Sequence, residues 1–186
     1  MLFGIGLPVF WPPTWDCEDG AVIRVGILTI SDRGARGERK DLSGPALAQT
    51  VAEQLPTACV VETAIVPDEL AAISATLVRW ADESKLNLIL TTGGTGFAPR
   101  DVTPEATLTV LDRLAPGLAE AMRAASLLVT SHAVLSRAVA GMRGRTLIVN
   151  LPGSPKGALE NLATILPVLS HAIELLMEAP DAEQHH

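Results

Sequence analysis

The chain has 186 residues, 48% of them hydrophobic and 19% charged, with a formal net charge of −7. That composition fits one globular domain with a sizeable core and excludes a disordered polymer. The acidic balance, without a basic run or alternating basic and aromatic residues, argues against a nucleic-acid surface. An acidic protein that binds an anion has to concentrate cations locally, and Arg100, Arg137, Arg143, Arg145 and Lys156 are the candidates.

The opening stretch, MLFGIGLPVFWPP, is apolar but lacks the basic region of a signal peptide, and it is too short and proline-rich to cross a bilayer. Residues 1–20 therefore read as an arm docked on the domain or on a partner. An interfacial segment or a mis-set start are the alternatives. A cytoplasmic protein with no membrane partner is expected. Residues 22–30, VIRVGILTI, form a nearly continuous apolar run of the kind needed by a strand covered on both faces. The run ends in Ser31-Asp32-Arg33 and a polar loop to Asp41. Ser43 is expected to cap a helix carrying Leu47, Val51 and Leu55 on one face.

Residues 58–66 read as a second strand. Pro67-Asp68-Glu69 then opens a helix to about residue 83, with Leu70, Ile73, Leu77 and Trp80 at helical spacing. A third strand over 86–91 runs into Thr92-Gly93-Gly94-Thr95-Gly96, followed by Arg100-Asp101 and a helix start at Thr103-Pro104. Another helix is expected over 116–128. Residues 131–143 fit either a strand or an irregular hairpin. Residues 146–151 form a strand that breaks into Pro152-Gly153-Ser154-Pro155-Lys156-Gly157, before a last helix to about residue 178 with a bend at Pro167. This alternation predicts an α/β fold with a mostly parallel sheet and helices on both faces. It amounts to one domain over 21–180 and a tail over 181–186.

The glycine cluster is the strongest local signal. It follows a buried strand, where open α/β sheets hold their ligands. Glycines let backbone N–H groups approach an anion, and threonines add hydroxyls. A Walker loop needs Lys and Ser or Thr after its last glycine, whereas Phe97-Ala98-Pro99 stand here; the dinucleotide fingerprint has a different glycine spacing. Thr92 to Gly96 is thus a candidate phosphate cradle outside both common motifs. Ser154-Pro155-Lys156 is a second anion candidate, with Lys156 alternatively an ordinary surface lysine. Ser31 and Asp32 are placed at the same crevice. Cys17 and Cys59 are too few for a disulfide framework or a zinc site, and Cys59 reads as a small buried hydrophobe. His132 and His171 are not spaced as metal ligands, and His185-His186 lie on the polar tail.

TTGGTGFAPRDVTPEAT, with VGILTISDR and IVPDE before it and LIVNLPGSPKG after it, closely resembles the molybdopterin adenylyltransferases: the bacterial MogA type, the plant G domain and the gephyrin G domain. The resemblance spans about residues 22–178. It implies a three-layer α/β/α sandwich that forms a homotrimer. It also implies a magnesium-dependent reaction in which the terminal phosphate of molybdopterin attacks the α-phosphorus of ATP, releasing pyrophosphate and leaving adenylylated molybdopterin. The product would pass to a separate MoeA-like molybdenum insertase. A MoaB-like relative, a non-catalytic molybdopterin-binding scaffold and the related domain of competence-damage-inducible proteins are the competing readings.

The resemblance also assigns roles. Asp68 and Asp101 match acidic catalytic positions, and both suit magnesium, which takes one or two carboxylates plus phosphate oxygens. Locally, Asp68 reads equally well as a helix cap, and Asp101 has an ion pair with Arg100 as its alternative. Asp41 matches an acidic position near the nucleotide, with a solvated loop residue or a helix cap as its local reading. Asn150 matches a polar active-site contact, and Ser126 and Ser136 match positions near the ligand. Thr92, Gly93, Gly94, Thr95, Gly96, Arg100, Pro152, Gly153, Ser154 and Lys156 complete the expected binding set.

Overall fold

The computed structural model describes residues 23–178. The predicted arm, Cys17, the 181–186 tail and His185-His186 lie outside the described residues. Six strands form one sheet in the order β2-β1-β3-β6-β5-β4. The strands β1 (Ile23–Ile30), β2 (Ala58–Val66), β3 (Leu88–Thr92) and β6 (Thr146–Leu151) are parallel. Two short strands, β5 (Ala140–Arg143) and β4 (Arg113–Leu114), extend the sheet antiparallel beyond β6. The expected mostly parallel sheet is therefore observed, with an antiparallel edge.

Both faces of the central strands are covered because their apolar residues alternate between two cores. Val25 and Ile27 point into one cluster with Leu47 and Val51 of α2 (Ser43–Gln54), Met122 of α5 (Pro116–Leu127) and Leu162, Ile165 and Leu169 of α6 (Pro155–Leu176). Leu28 and Ile30 point the other way, onto Ile73, Leu77 and Trp80 of α3 (Leu70–Asp82) and Ala106 of α4 (Thr103–Leu108). Near-continuous apolar strands are the sequence consequence of a sheet buried on two sides. Helix α6 is long and apolar enough to cross a membrane by length and composition. Its Ala158, Leu162, Ile165, Leu169 and Ile173 stripe instead packs into the core. It runs unbroken through Pro167.

Several local expectations are corrected. The polar loop after β1 contains a short helix, α1 (Asp32–Ala35), capped by the Ser31 hydroxyl, which accepts from Gly34 N–H. Ser43 does not cap α2: Asp41 Oδ1 accepts from the N–H groups of Ser43 and Gly44, while the Ser43 hydroxyl donates to Gly153 O. The hydroxyl of Thr103, the first residue of α4, donates to Gly93 O. Residues 131–143 are not one hairpin but a 3-10 turn over Ser131–Leu135 followed by β5. Cys59 is buried as expected, but its sulfur is disulfide-bonded rather than a free thiol.

Strand β1 crosses under α3 where only a glycine fits. A Cβ on Gly26 would stand 2.5 Å from Leu86 Cδ1 and 2.7 Å from the Trp80 ring. Overpacking of this kind costs about 1–3 kcal/mol. Gly26→Ala is expected to lower the urea midpoint by a matching amount without changing the slope, as read by equilibrium denaturation.

Candidate active site

The order of the chain through the sheet creates the crevice. From β1 the backbone moves outward to β2, then returns to place β3 on the other side of β1. Such a reversal leaves a gap beyond the carboxyl ends of the strands, between helices that diverge. A cavity of about 370 Å³ occupies it. Its walls come from three strand ends: Thr29 to Ser31 at the end of β1, Thr92 to Gly94 at the end of β3, and Gly153 to Pro155 after β6. Asp68, from the end of β2, completes the floor.

The glycine loop holds a backbone path that side chains would block. Gly93 and Gly94 have φ of 105° and 62°, in the left-handed region that favours glycine. A Cβ on Gly93 would collide with Ile30 O, and one on Gly94 with Thr103 Oγ1. Gly93 N–H donates to Leu151 O, so it belongs to the fold and not to a ligand. The N–H groups of Gly94, Thr95 and Gly96 have no partner among the described residues. The cradle expected over Thr92 to Gly96 is thus narrower, with Gly94 to Gly96 supplying the donors. Thr92 serves as a brace, its hydroxyl donating to Pro152 O at 2.7 Å.

Arg137 fixes the outer rim of this loop. Its backbone N–H donates to Thr95 O and its Nε to Gly96 O, and its terminal nitrogens reach Asp101 O and the Glu105 carboxylate. One planar guanidinium therefore holds the glycine loop and the start of α4 together. In one dimension Arg137 is only one of five loose cations, because a residue 41 positions away shows no periodic link to the loop.

Carboxylates crowd the inner side. Asp32 N–H donates to Asp68 Oδ2 at 2.8 Å, and Asp68 N–H donates to Asp32 Oδ1 at 3.1 Å. Asp68 is therefore no helix cap; Glu69 precedes α3 without a side-chain cap. Arg100 makes a two-pronged contact with Asp32, Nε to Oδ2 at 3.0 Å and a terminal nitrogen to Oδ1 at 2.7 Å. The alternative pairing of Arg100 with Asp101 is thus not formed. Asp101 Oδ2 instead accepts from Ala98 N–H at 2.8 Å. The Arg100 guanidinium holds the Asp32 carboxyl below its usual range. Burial, then the negative charges of Asp32 and Asp101, push Asp68 above its own. Asp68 and Asp101 are close enough to feel each other's charge, and they flank the loop: Asp68 Oδ1 lies 3.1 Å from a Cβ built on Gly94, Asp101 Oδ2 2.9 Å from one on Gly96.

A second cavity, of about 300 Å³, lies on the other side of the loop. Thr95, Gly96, Ser126 and Ser136 line it, and it shares Ser154 with the first. Ser126, Ser136 and Pro152, named by the resemblance, thus all line this second cavity. Asn150 is not. It is fully buried, its amide donating to Thr91 and Thr107 hydroxyls at 2.9 Å each and its Oδ1 accepting from Val139 N–H. A strand-end asparagine looks like a ligand group in one dimension, but here it braces β3, β6 and α4 beneath the loop. Lys156 is an exposed side chain paired with Glu160 at 3.7 Å, lining neither cavity. Arg143 and Arg145 pair with Asp82 and Glu178, away from both cavities. The cations at the first cavity are Arg39 and Lys40, in a loop whose sequence carries no recognisable signal. Asp41, beside them, caps α2 and accepts from the Thr29 hydroxyl at 2.6 Å.

A switch-point crevice, a glycine amide cradle and flanking carboxylates define an α/β protein built to hold phosphorylated ligands. The chain belongs to the family described as a probable molybdopterin binding domain, which matches residues 26–171. It is 41% identical over 155 residues to a molybdopterin adenylyltransferase from Helicobacter pylori strain J99, covering 83% of this chain and 88% of that one. It is 45% identical over 164 residues to gephyrin of Dictyostelium discoideum, but it spans only 23% of that longer protein. A crystal structure of the molybdopterin biosynthesis enzyme MoaB from Thermus thermophilus matches with a TM-score of 0.79 and 56% identity, covering 84% of this chain and 97% of that one.

The upward shift at Asp68 carries a stability consequence. A carboxyl whose folded pKa is raised holds its proton more tightly in the fold, so stability falls as pH rises from the unfolded value through the folded one. Asp68→Asn removes that penalty and keeps an oxygen for Asp32 N–H. The variant is expected to melt above wild type at neutral pH. The difference should vanish below about pH 4, where the unfolded carboxyl is itself protonated, as followed by calorimetry across pH.

Proposed function

We propose that this chain adenylylates molybdopterin with ATP in molybdenum cofactor biosynthesis. The observation that supports this most is the placement of one donor loop, Gly94 to Gly96, between two cavities that meet at Ser154. A reaction that joins two phosphorylated substrates needs their phosphates side by side and their remainders apart. The two cavities hold the remainders, and the loop amides bind the phosphate oxygens where they meet. Arg39 and Lys40 add positive charge on the first side.

The nucleophile is a phosphate monoester, largely dianionic near neutral pH, so no side chain has to remove a proton. One P–O bond forms to the α-phosphorus, the bond to the β-phosphate breaks, and pyrophosphate carries away the electron pair. The protein contributes position and charge stabilisation. No cluster of three or more metal-ligating side chains occurs among the described residues. Magnesium takes one or two carboxylates and fills its shell with phosphate oxygens and water. The charge that Asp32 and Asp101 place on Asp68 fits a cation there, so Asp68 and Asp101 would hold it, and it would neutralise charge building on the phosphates. Asp32, clasped by Arg100, positions Asp68 through their paired backbone contacts.

Mixing the chain with molybdopterin, ATP and magnesium is expected to yield adenylylated molybdopterin and pyrophosphate. Asp101→Ala should fold normally and lose about a hundredfold or more in turnover. Absence of product where the Helicobacter pylori relative forms it would reject the reaction and favour a MoaB-like or scaffold role.

The working form is a cytoplasmic homotrimer that hands its product to a separate MoeA-like insertase. Support for assembly comes from one apolar stretch on the surface, in which Leu128 is 90% exposed and Val129 and Val134 more than 60%. Light scattering is expected to give three times the chain mass, with Leu128→Glu reducing it; a monomeric wild type would remove the trimer.

A further inference from the structure

The second cavity contains a pair of polar groups that phosphate binding does not use. Asn161 lies on α6, 7% exposed, and its amide nitrogen donates to Ser126 Oγ and Gly157 O, each at 2.9 Å. A backbone carbonyl only accepts, so the contact with Gly157 fixes which end of the amide is nitrogen. Flipping it would set two oxygens 2.9 Å apart. Asn161 Oδ1 therefore faces away from both partners. It accepts no hydrogen bond from the described residues. Nor is it sealed off, because among the described residues only Trp80 Nε1 is a buried side-chain polar atom without a partner. Ser126 Oγ already accepts from Asn161 and makes no other hydrogen bond among the described residues, which leaves its proton to be donated. Both residues line the cavity, next to the apolar side chains of Val129, Ala133 and Leu135.

We infer that Asn161 and Ser126 read the edge of a planar heterocycle. The Ser126 hydroxyl donates to an acceptor on that edge, and Asn161 Oδ1 accepts from the N–H beside it. The lactam edge of a pterin presents C=O beside N–H, and the amidine edge of adenine presents a ring nitrogen beside an amino N–H. A phosphate, which offers acceptors, would leave Asn161 Oδ1 facing oxygen. The pair is therefore a specificity device for the ring and not part of the phosphate cradle. It deepens the adenylyl-transfer reading and rests on it for the choice of rings, since both substrates carry such an edge. The binding itself is measurable without turnover.

Titration calorimetry on the full chain with AMP, with pterin and with pyrophosphate tests this. In Asn161→Ala and in Ser126→Ala, one of the two rings is expected to lose about tenfold in affinity while pyrophosphate binds as before. The ring that loses identifies the occupant. Masking the edge, in N6,N6-dimethyl-AMP or 3-methylpterin, should weaken binding to the unaltered protein by a similar factor and make Asn161→Ala silent. That arm needs no substitution, so a misfolded variant does not protect the proposal. The proposal is overturned if neither ring binds, if both bind the variants and the masked forms at full strength, or if pyrophosphate weakens in step with the rings. Edge discrimination in a chain that forms no adenylylated product would keep the reader and discard the reaction.

Discussion

Three parallel strand ends converge so tightly beneath the crevice that Gly93 has no space for a side chain, and its own N–H and C=O are taken by Leu151 and Thr103. That packing forces the next residues to turn outward through a second left-handed glycine, and it is what leaves Gly94, Thr95 and Gly96 with donors unused among the described residues. The braces around the loop follow from the same constraint. Thr92 is tied to Pro152, Arg137 grips Gly96 and Asp101, and Asn150 locks the strands to α4 from below. A loop that is to bind anions with backbone amides cannot relax toward each ligand, and this one is held at both ends and underneath.

The same rigidity places like charges together. Asp32 and Asp68 exchange backbone and carboxylate contacts, and Asp101 adds a third charge nearby. Arg100 pairs directly with Asp32 and offsets the charge at Asp68 only in part, so burial still holds Asp68 above its ordinary range. An exposed ion pair such as Arg100–Asp32 contributes little to stability by itself. Its effect lies in fixing Asp32, which exchanges backbone-to-carboxylate contacts with Asp68. Stability given up at Asp68 is the expected cost of a preorganised site.

The two cavities on either side of the loop differ in their lining. The first is walled by Arg39, Lys40 and Asp68 and deals in charge. In the second, Ser126 and Asn161 sit beside Val129, Ala133 and Leu135, with Arg123, His132 and Glu160 also on its walls. Residues outside the core of the sheet, in the 34–42 loop and the 128–136 turn, supply much of this difference. A shared scaffold can thus keep its phosphate chemistry while its outer loops vary.

The strands, the helices and the glycine loop were legible in one dimension because their signals are local. Double-sided burial writes a continuous apolar run, amphipathic helices write a 3.6-residue period, and left-handed turns demand glycine. The family blocks carried Asp68 and Asp101 in the same way, each within a short motif at a strand end. What sequence could not decide were partnerships across the fold. Asp41 rather than Ser43 caps α2, Arg100 pairs with Asp32 68 residues away, Asn150 turns inward, and Arg137 and Asn161 reach the site from distant elements. Hydrogen bonds and charges act over a few ångströms of space, whatever the separation along the chain, so only the tertiary structure selects among candidates of equal local merit.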